Sequence, residues 1–207
     1  MIITLLGNYL SIFHTHYIMN NTCSLFYDFS SRNFLTTFSA WPIEEMEHSK
    51  RMMQNLPRGQ FAPFVFPIVF KQVADSGKRF RDFLDNRTIS FYLISERTVV
   101  LLEDNGITGW KTYPIELFDK KGNQVNGYQG FSVIGRAGIL DGIKERNENR
   151  TSRLKFYLDR WDGTDFFSFE NTRHIITTQK VRDLFKKNKV DAVQFSPIEE
   201  WGIDLIV

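Results

Sequence analysis

A chain of 207 residues with 42% hydrophobic and 24% charged side chains is long enough for one substantial core or two small ones, and too apolar to stay disordered. Twenty-six basic residues against 24 acidic ones leave a net charge of +2, with both signs interspersed, so no uncompensated basic face for nucleic acid stands out. Phe alone occurs 20 times, and that much aromatic surface has to be hidden in the fold.

The densest positive run is Lys180, Arg182, Lys186, Lys187 and Lys189, with Asp183 among them. It falls on a predicted amphipathic helix and reads as that helix's solvated face. The single cysteine, Cys23, rules out an intrachain disulfide and fits a reducing, cytoplasmic setting. Residues 2–13 resemble a signal-peptide core only faintly. No Lys or Arg precedes them, Asn8 interrupts them, and no Ala occurs before Ala40. His14 and His16 also break the stretch as a membrane helix. Residues 1–18 are read as an extension or a peripheral strand, with the domain beginning near Met19 and running over 19–207.

In chain order, Cys23–Phe29 alternates like a strand. Trp41-Pro42-Ile43-Glu44-Glu45 opens a helix that runs to about Leu56, where Pro57-Arg58-Gly59 stops it. Phe64–Phe70 is strand-like, and Pro67, which cannot donate to a ladder, puts it at an edge or a bend. Asp75 or Ser76 caps a short helix with Phe80, Phe83 and Leu84 on one face. Ile89–Ile94 reads as a buried strand, after which Ser95 caps a helix carrying Val99 and Leu102, and Asn105-Gly106 ends it. Ile107–Phe118 is extended, Asp119–Asn123 is a turn, and Gln124–Gly135 returns as a strand. Residues 141–152 form a polar loop. Arg153–Leu158 and Phe166–Phe169 are strands about the turn at Trp161-Asp162-Gly163. Thr177 or Thr178 caps a last helix with Val181, Leu184 and Phe185 inward. Ala192–Phe195 is a strand, and the chain closes with Trp201 and Ile203–Val207.

One internal similarity organises this inventory. Asn105, Pro114, Ile115 and Glu116 recur at a constant offset of 83 as Asn188, Pro197, Ile198 and Glu199, each time after a strand and a capped helix. The expected fold is therefore α+β, a mixed sheet built around two β-α-β units with flanking helices. The units share one domain or form two small lobes, about 19–88 and 89–207.

The chemistry-bearing residue types make no strong motif. His48 lies one helical turn after Glu44, a spacing that suits an exposed ion pair better than a metal, and His174 has no patterned partner. Asp159, Asp162 and Asp165 cluster without the spacing of a calcium loop, and Asp162-Gly163 reads as turn chemistry. Gly127, Gly130, Gly135 and Gly138 fit neither a phosphate loop nor a dinucleotide fingerprint. No cofactor or metal is expected.

The text ISERTVVLLEDNGITGWKTYPIELFDKKGNQVNGYQGFSVIG, Ile94–Gly135, has a capped helix, an N-G-I-T-G exit, a Y-P-I strand and a later G-x-x-x-x-x-Y. With Trp161-Asp162-Gly163-Thr164-Asp165-Phe166 and Val193-Gln194-Phe195-Ser196-Pro197, it resembles the bacterial polymorphic-toxin immunity proteins, a family first defined as a domain of unknown function. The resemblance spans roughly Phe64 to Trp201. It implies a cytoplasmic protein that binds a cognate toxin domain by surface complementarity, with no nucleic acid and no membrane involved. The positions matching the family that could line such a surface are Trp110, Tyr113, Trp161, Asp162 and Asp165. The alternative is an acid–base hydrolase using the Asp159–Asp165 carboxylates with His174 nearby.

Overall fold

A computed structural model describes residues 24–27, 40–42, 46–74, 76–84, 92–142, 153–172 and 174–206. The expectations for residues 1–18 and for Asp75 lie outside them. The fold is α+β. Its centre is a four-stranded sheet and a five-stranded sheet that face one another across a shared core.

The first sheet has the order β4-β5-β8-β6, from β4 (Phe83–Leu84), β5 (Tyr92–Ser95), β6 (Trp110–Tyr113) and β8 (Tyr128–Val133). The second has the order β13-β1-β12-β11-β9, from β1 (Ser24–Tyr27), β9 (Gly135–Arg136), β11 (Phe166–Ser168), β12 (Ile175–Thr177) and β13 (Gln194–Pro197). Successive residues in a strand point to opposite faces, and the buried residues divide accordingly. Phe83, Ile94 and Phe131 meet Phe166 and Ile175 in the central core. Leu84, Leu93 and Tyr113 turn outward onto α1 (Met46–Asn55), β3 (Ile68–Gln72) and β7 (Ile115–Phe118). Phe167 and Ile176 turn outward onto β10 (Leu154–Tyr157) and β14 (Ile203–Ile206). The two remaining helices, α2 (Glu96–Asp104) and α3 (Gln179–Lys187), send Val99 and Leu102, and Val181 and Phe185, into the central core. A division between residues 88 and 89 would cut the β4–β5 hairpin.

The offset of 83 extends well upstream of Asn105 and is kept in the strand register. Phe83 pairs with Ile94 and Leu84 with Leu93; 83 residues on, Phe166 pairs with Thr177 and Phe167 with Ile176. Each hairpin leads into a helix, then into an antiparallel edge strand, β6 or β13. The strand between hairpin and edge is β8 in one sheet and β1 in the other, in matching register: Tyr113 opposes Gly130, and Ser196 opposes Leu25. The parallel pairs β3–β7 and β10–β14 also correspond, each joining the strand before the hairpin to the strand after the edge. We therefore describe the chain as two copies of one module.

Gly106 (φ 57°) and Gly109 (φ 85°) follow α2 in the left-handed region; their counterparts after α3 are Lys189 (φ 52°) and Ala192 (φ 62°). A side chain in that region is strained by about 1–2 kcal/mol, partly offset by the entropy a glycine loses on folding. Lys189→Gly is therefore expected to stabilise the protein by about 0.5–1 kcal/mol, read as a higher denaturant midpoint with an unchanged slope.

Several expected elements fall elsewhere. Trp41 and Pro42 lie in β2 (Ala40–Pro42), paired with Lys71 and Phe70 of β3, and not at the start of a helix. The stretch from Ser76 to Leu84 is extended, because Phe83 and Leu84 pair with β5 and the Ser76 hydroxyl donates to the Val73 carbonyl 2.8 Å away. The strand expected from Phe64 starts only at Ile68, directly after Pro67, and the one expected from Gln124 starts at Tyr128. The last interior strand is Gln194–Pro197, since Ala192 belongs to the left-handed turn before it. Ser95 does cap α2, accepting from the Thr98 amide at 3.3 Å. Thr178 sits at the same position on α3 but spends its hydroxyl elsewhere.

Candidate functional site

Where each module contacts the other, a single aspartate gathers the donors. In the first module this is Asp82, only 7% exposed. Arg97 grips its carboxylate with Nε at 3.1 Å and with Nη2. Ser95 Oγ and Thr98 Oγ1 donate to Oδ1 at 3.0 and 3.1 Å, and the Asp191 amide donates to Oδ2 at 3.0 Å. The Asp82 amide donates in return to Asp191 Oδ1 at 2.8 Å. Burial alone would push this carboxyl up; the bonds from Arg97, Asp191 and Ser95 outweigh it and hold it below the ordinary aspartate range.

Asp165, 83 residues on, repeats the arrangement in mirror order. It receives the Thr108 amide at 3.0 Å, the Thr108 hydroxyl at 3.2 Å, the Thr178 hydroxyl at 2.9 Å and Lys180 Nζ at 3.4 Å. Thr108 stands where the second module has Asp191, Lys180 where the first has Arg97, and Thr178 where it has Ser95. Each module's aspartate thus reaches across to the loop after the other's helix. That reciprocity makes the modules a pseudo-twofold pair.

Among the sequence-predicted residues one belongs to a node and the others have separate contacts. Asp165 is the second node itself. Asp162 accepts the Arg136 amide at 2.7 Å and the Thr164 amide and hydroxyl at 3.1 and 2.6 Å. Trp161 donates Nε1 to the Thr164 carbonyl at 3.2 Å and packs on Phe167. Trp110 donates Nε1 to the Ile107 carbonyl at 2.7 Å and stacks on Phe131. Trp161 and Asp162 therefore meet at Thr164, and Asp165 bonds to Thr108 in the loop after α2. Tyr113 is 2% exposed and sits in the outer core, where a Cβ on Gly130 would overlap its ring. Its hydroxyl is buried without a partner, and burial pushes its acidity far down. Tyr113→Phe is accordingly expected to raise stability by about 1 kcal/mol, measured by denaturant unfolding, because it removes an unpaired buried hydroxyl.

As an acid–base set, the Asp159–Asp165 carboxylates would need oxygens facing a substrate. Asp162 and Asp165 each give both oxygens to donors of the fold, and Asp159 is exposed. The His174 ring lies 6.0 Å from that of Trp201, and among the described residues no hydrogen bond joins it to the three acids. Among the described residues no group of three His, Cys, Asp or Glu comes together to hold a metal ion.

A cleft of about 360 Å³ lies between α1 and the two sheets, bordered by Met53, Gln54, Arg58, Tyr92, Ser168 and Thr172. Arg58 donates to the Glu170 carbonyl at 2.8 Å. Beside it, Arg136 donates to the carbonyls of Val133, Gly135 and Arg58 and to Ser168 Oγ, at 2.8–3.2 Å. Burial, then the neighbouring Arg58 charge, lowers the pKa of Arg136.

A surface cluster not flagged in the sequence forms around the first node. Arg79 and Arg81 approach Asp191 Oδ2 at 3.7 and 4.0 Å, and Arg97 Nη1 donates to the Asn188 carbonyl at 3.4 Å. Tyr128 donates to the Arg81 carbonyl at 2.8 Å, and burial, with the nearby Asp82 and Asp191 charges, pushes its pKa to about 12. The signal available in the sequence was the run Lys78-Arg79-Phe80-Arg81 directly before Asp82. Among the described residues no helix is long and apolar enough to cross a membrane. No protein-family model matches the chain, and no curated protein matches it.

Proposed function

We propose that the chain is a cytoplasmic immunity protein, which binds and neutralises a cognate bacterial toxin domain by surface complementarity. The resemblance of Ile94–Gly135, and of the stretches around Trp161 and Val193, carries this reading. The two aspartate nodes support it, because their polar groups are spent on fixing a rigid frame. A rigid frame lets a few surface anchors bind without a large ordering penalty.

Growth rescue tests the reading. The C-terminal domain of a large secreted protein encoded beside this chain is expressed in a susceptible host, with and without it. Survival only with the chain present is the expected result. Death in both cases overturns the proposal.

A further inference from the structure

The two modules share a fold but not a surface. The last turn of α2 and its exit read Glu103-Asp104-Asn105-Gly106; the equivalent positions after α3 read Lys186-Lys187-Asn188-Lys189. The sign of charge is inverted at matched places. Before the aspartate nodes the charge differs again: Lys78-Arg79-Phe80-Arg81 precedes Asp82, and Trp161-Asp162-Gly163-Thr164 precedes Asp165, with the sign opposed at Arg79 and Asp162 and the other cations matched by neutral residues. Arg97 bonds to the Asn188 carbonyl, and Arg79 and Arg81 face Asp191, so the fold brings three separate basic segments to one corner. The dyad-related corner carries Glu103, Asp104, Asp162 and Asp165, with Lys180 as a cation beside Asp165.

The module folds with either sign at these positions, so its architecture does not demand the positive one. Cations do favour a helix C-terminus, and this accounts for Lys186 and Lys187 in part. It does not account for Lys78, Arg79 and Arg81, which lie on no helix, nor for Lys189. Lys189 occupies a left-handed conformation (φ 52°) that its counterpart fills with glycine. Strain retained for the sake of a particular side chain is a mark of function. At the same corner Phe80 is 48% exposed. Asp82 fixes the head of Arg97 through two hydrogen bonds, which limits the entropy lost when that arginine is engaged.

We propose that this corner, Lys78–Arg81, Arg97 and Lys186–Lys189, is the surface that docks an acidic patch of the protein partner, with Phe80 as its apolar anchor. Arginines and an aromatic at the centre of a charged rim are the composition of a protein–protein hot spot. Asp191, partly exposed and beside Arg79 and Arg81, interrupts the positive charge of the corner, which suits a mixed-charge protein surface better than a uniform run of phosphates. The inference rests on the immunity reading and assigns it a face.

The test measures binding of the purified, catalytically inactivated neighbouring toxin domain to the full chain. The variants are Lys186→Glu/Lys187→Glu/Lys189→Glu, Phe80→Ser, and the control Glu103→Lys/Asp104→Lys on the dyad-related corner, each checked for a native circular dichroism spectrum. The triple reversal is expected to weaken binding about 100-fold, mostly through slower association, and the wild-type complex to weaken with added salt. Phe80→Ser should cost about tenfold or more, and the control should stay within about threefold, below the roughly 1.4 kcal/mol that a tenfold change represents. Tight wild-type binding that the triple reversal and Phe80→Ser leave unchanged overturns the docking face and leaves the immunity reading standing. Absence of wild-type binding overturns both. Saturable binding of a 20-nucleotide single-stranded DNA at physiological salt that the triple reversal abolishes also overturns it, and gives the corner to nucleic acid.

Discussion

Asp82→Ala is expected to lower the melting temperature by about 10 °C. The substitution strands the Ser95 and Thr98 hydroxyls and the Asp191 amide, whose bond to Asp82 joins the two modules, and leaves Arg97 without its carboxylate partner. Removing one partner of a buried, charged hydrogen-bond set costs about 3–5 kcal/mol. In a protein of this size each kcal/mol moves the midpoint by about 2–4 °C. Arg97 is itself 60% exposed, so Arg97→Ala should cost clearly less than Asp82→Ala. The pH dependence has a definite sign. The folded carboxyl is held below the ordinary value of 3.8, so its contribution is present above that value and is lost as pH falls through the lower folded one. The gap in melting temperature between wild type and Asp82→Asn should therefore narrow on acidification. Differential scanning calorimetry across an acidic pH series checks both the size and the trend.

Gly109→Ala should be comparably damaging. The residue sits at φ 85°, and a Cβ there would overlap the Phe166 carbonyl oxygen and come within 2.8 Å of Thr164 Cβ and Oγ1. The left-handed strain, about 1–2 kcal/mol, adds to overpacking of about 1–3 kcal/mol, for a total near 3–4 kcal/mol. The comparison within the molecule sharpens the point. Ala192 occupies the equivalent turn at φ 62° and carries its Cβ. Strain at this turn is therefore tolerable, and the excess at Gly109 arises from the Thr108–Phe166 contact that packs the modules together, where the Phe166 amide donates to the Thr108 carbonyl at 3.0 Å. Urea unfolding of Gly109→Ala against wild type gives the value; a loss below about 1 kcal/mol would contradict the close approach.

What could be read in the sequence was local. Ser95 as a cap, Asn105-Gly106 as a stop and the alternation that buries Leu93 and Ile94 depend on neighbours within a few residues. The constant offset of 83 was visible from Asn105 onward because the asparagine after each helix and the Pro-Ile-Glu run at the end of each edge strand are identical in the two copies. Upstream of it, Asp82 and Asp165 align but look like any surface acid until the loop 109 residues away supplies Asp191. That distant partner is also why Phe80–Leu84 read as a helix: the apolar spacing suited one, and the pairing that overrides it is set by the neighbouring strand. Tyr113 read as a surface anchor for a similar reason. Its burial depends on Gly130 across the strand pair, a missing side chain that periodicity does not weigh. The lysines after residue 180 were legible as a run, but their meeting with Lys78–Arg81 and Arg97 is a product of the pseudo-twofold packing alone.

The central claim is that this chain acts by occupying a partner and not by transforming a substrate. Stoichiometric titration tests it most directly: the purified chain is added in steps to a fixed amount of active toxin domain, and the residual toxin activity is recorded. A linear fall to zero at a fixed whole-number ratio is expected, with activity fully restored when the complex is dissociated and separated. Loss of toxin activity at a small fraction of one equivalent, or no loss at a large excess, would contradict it.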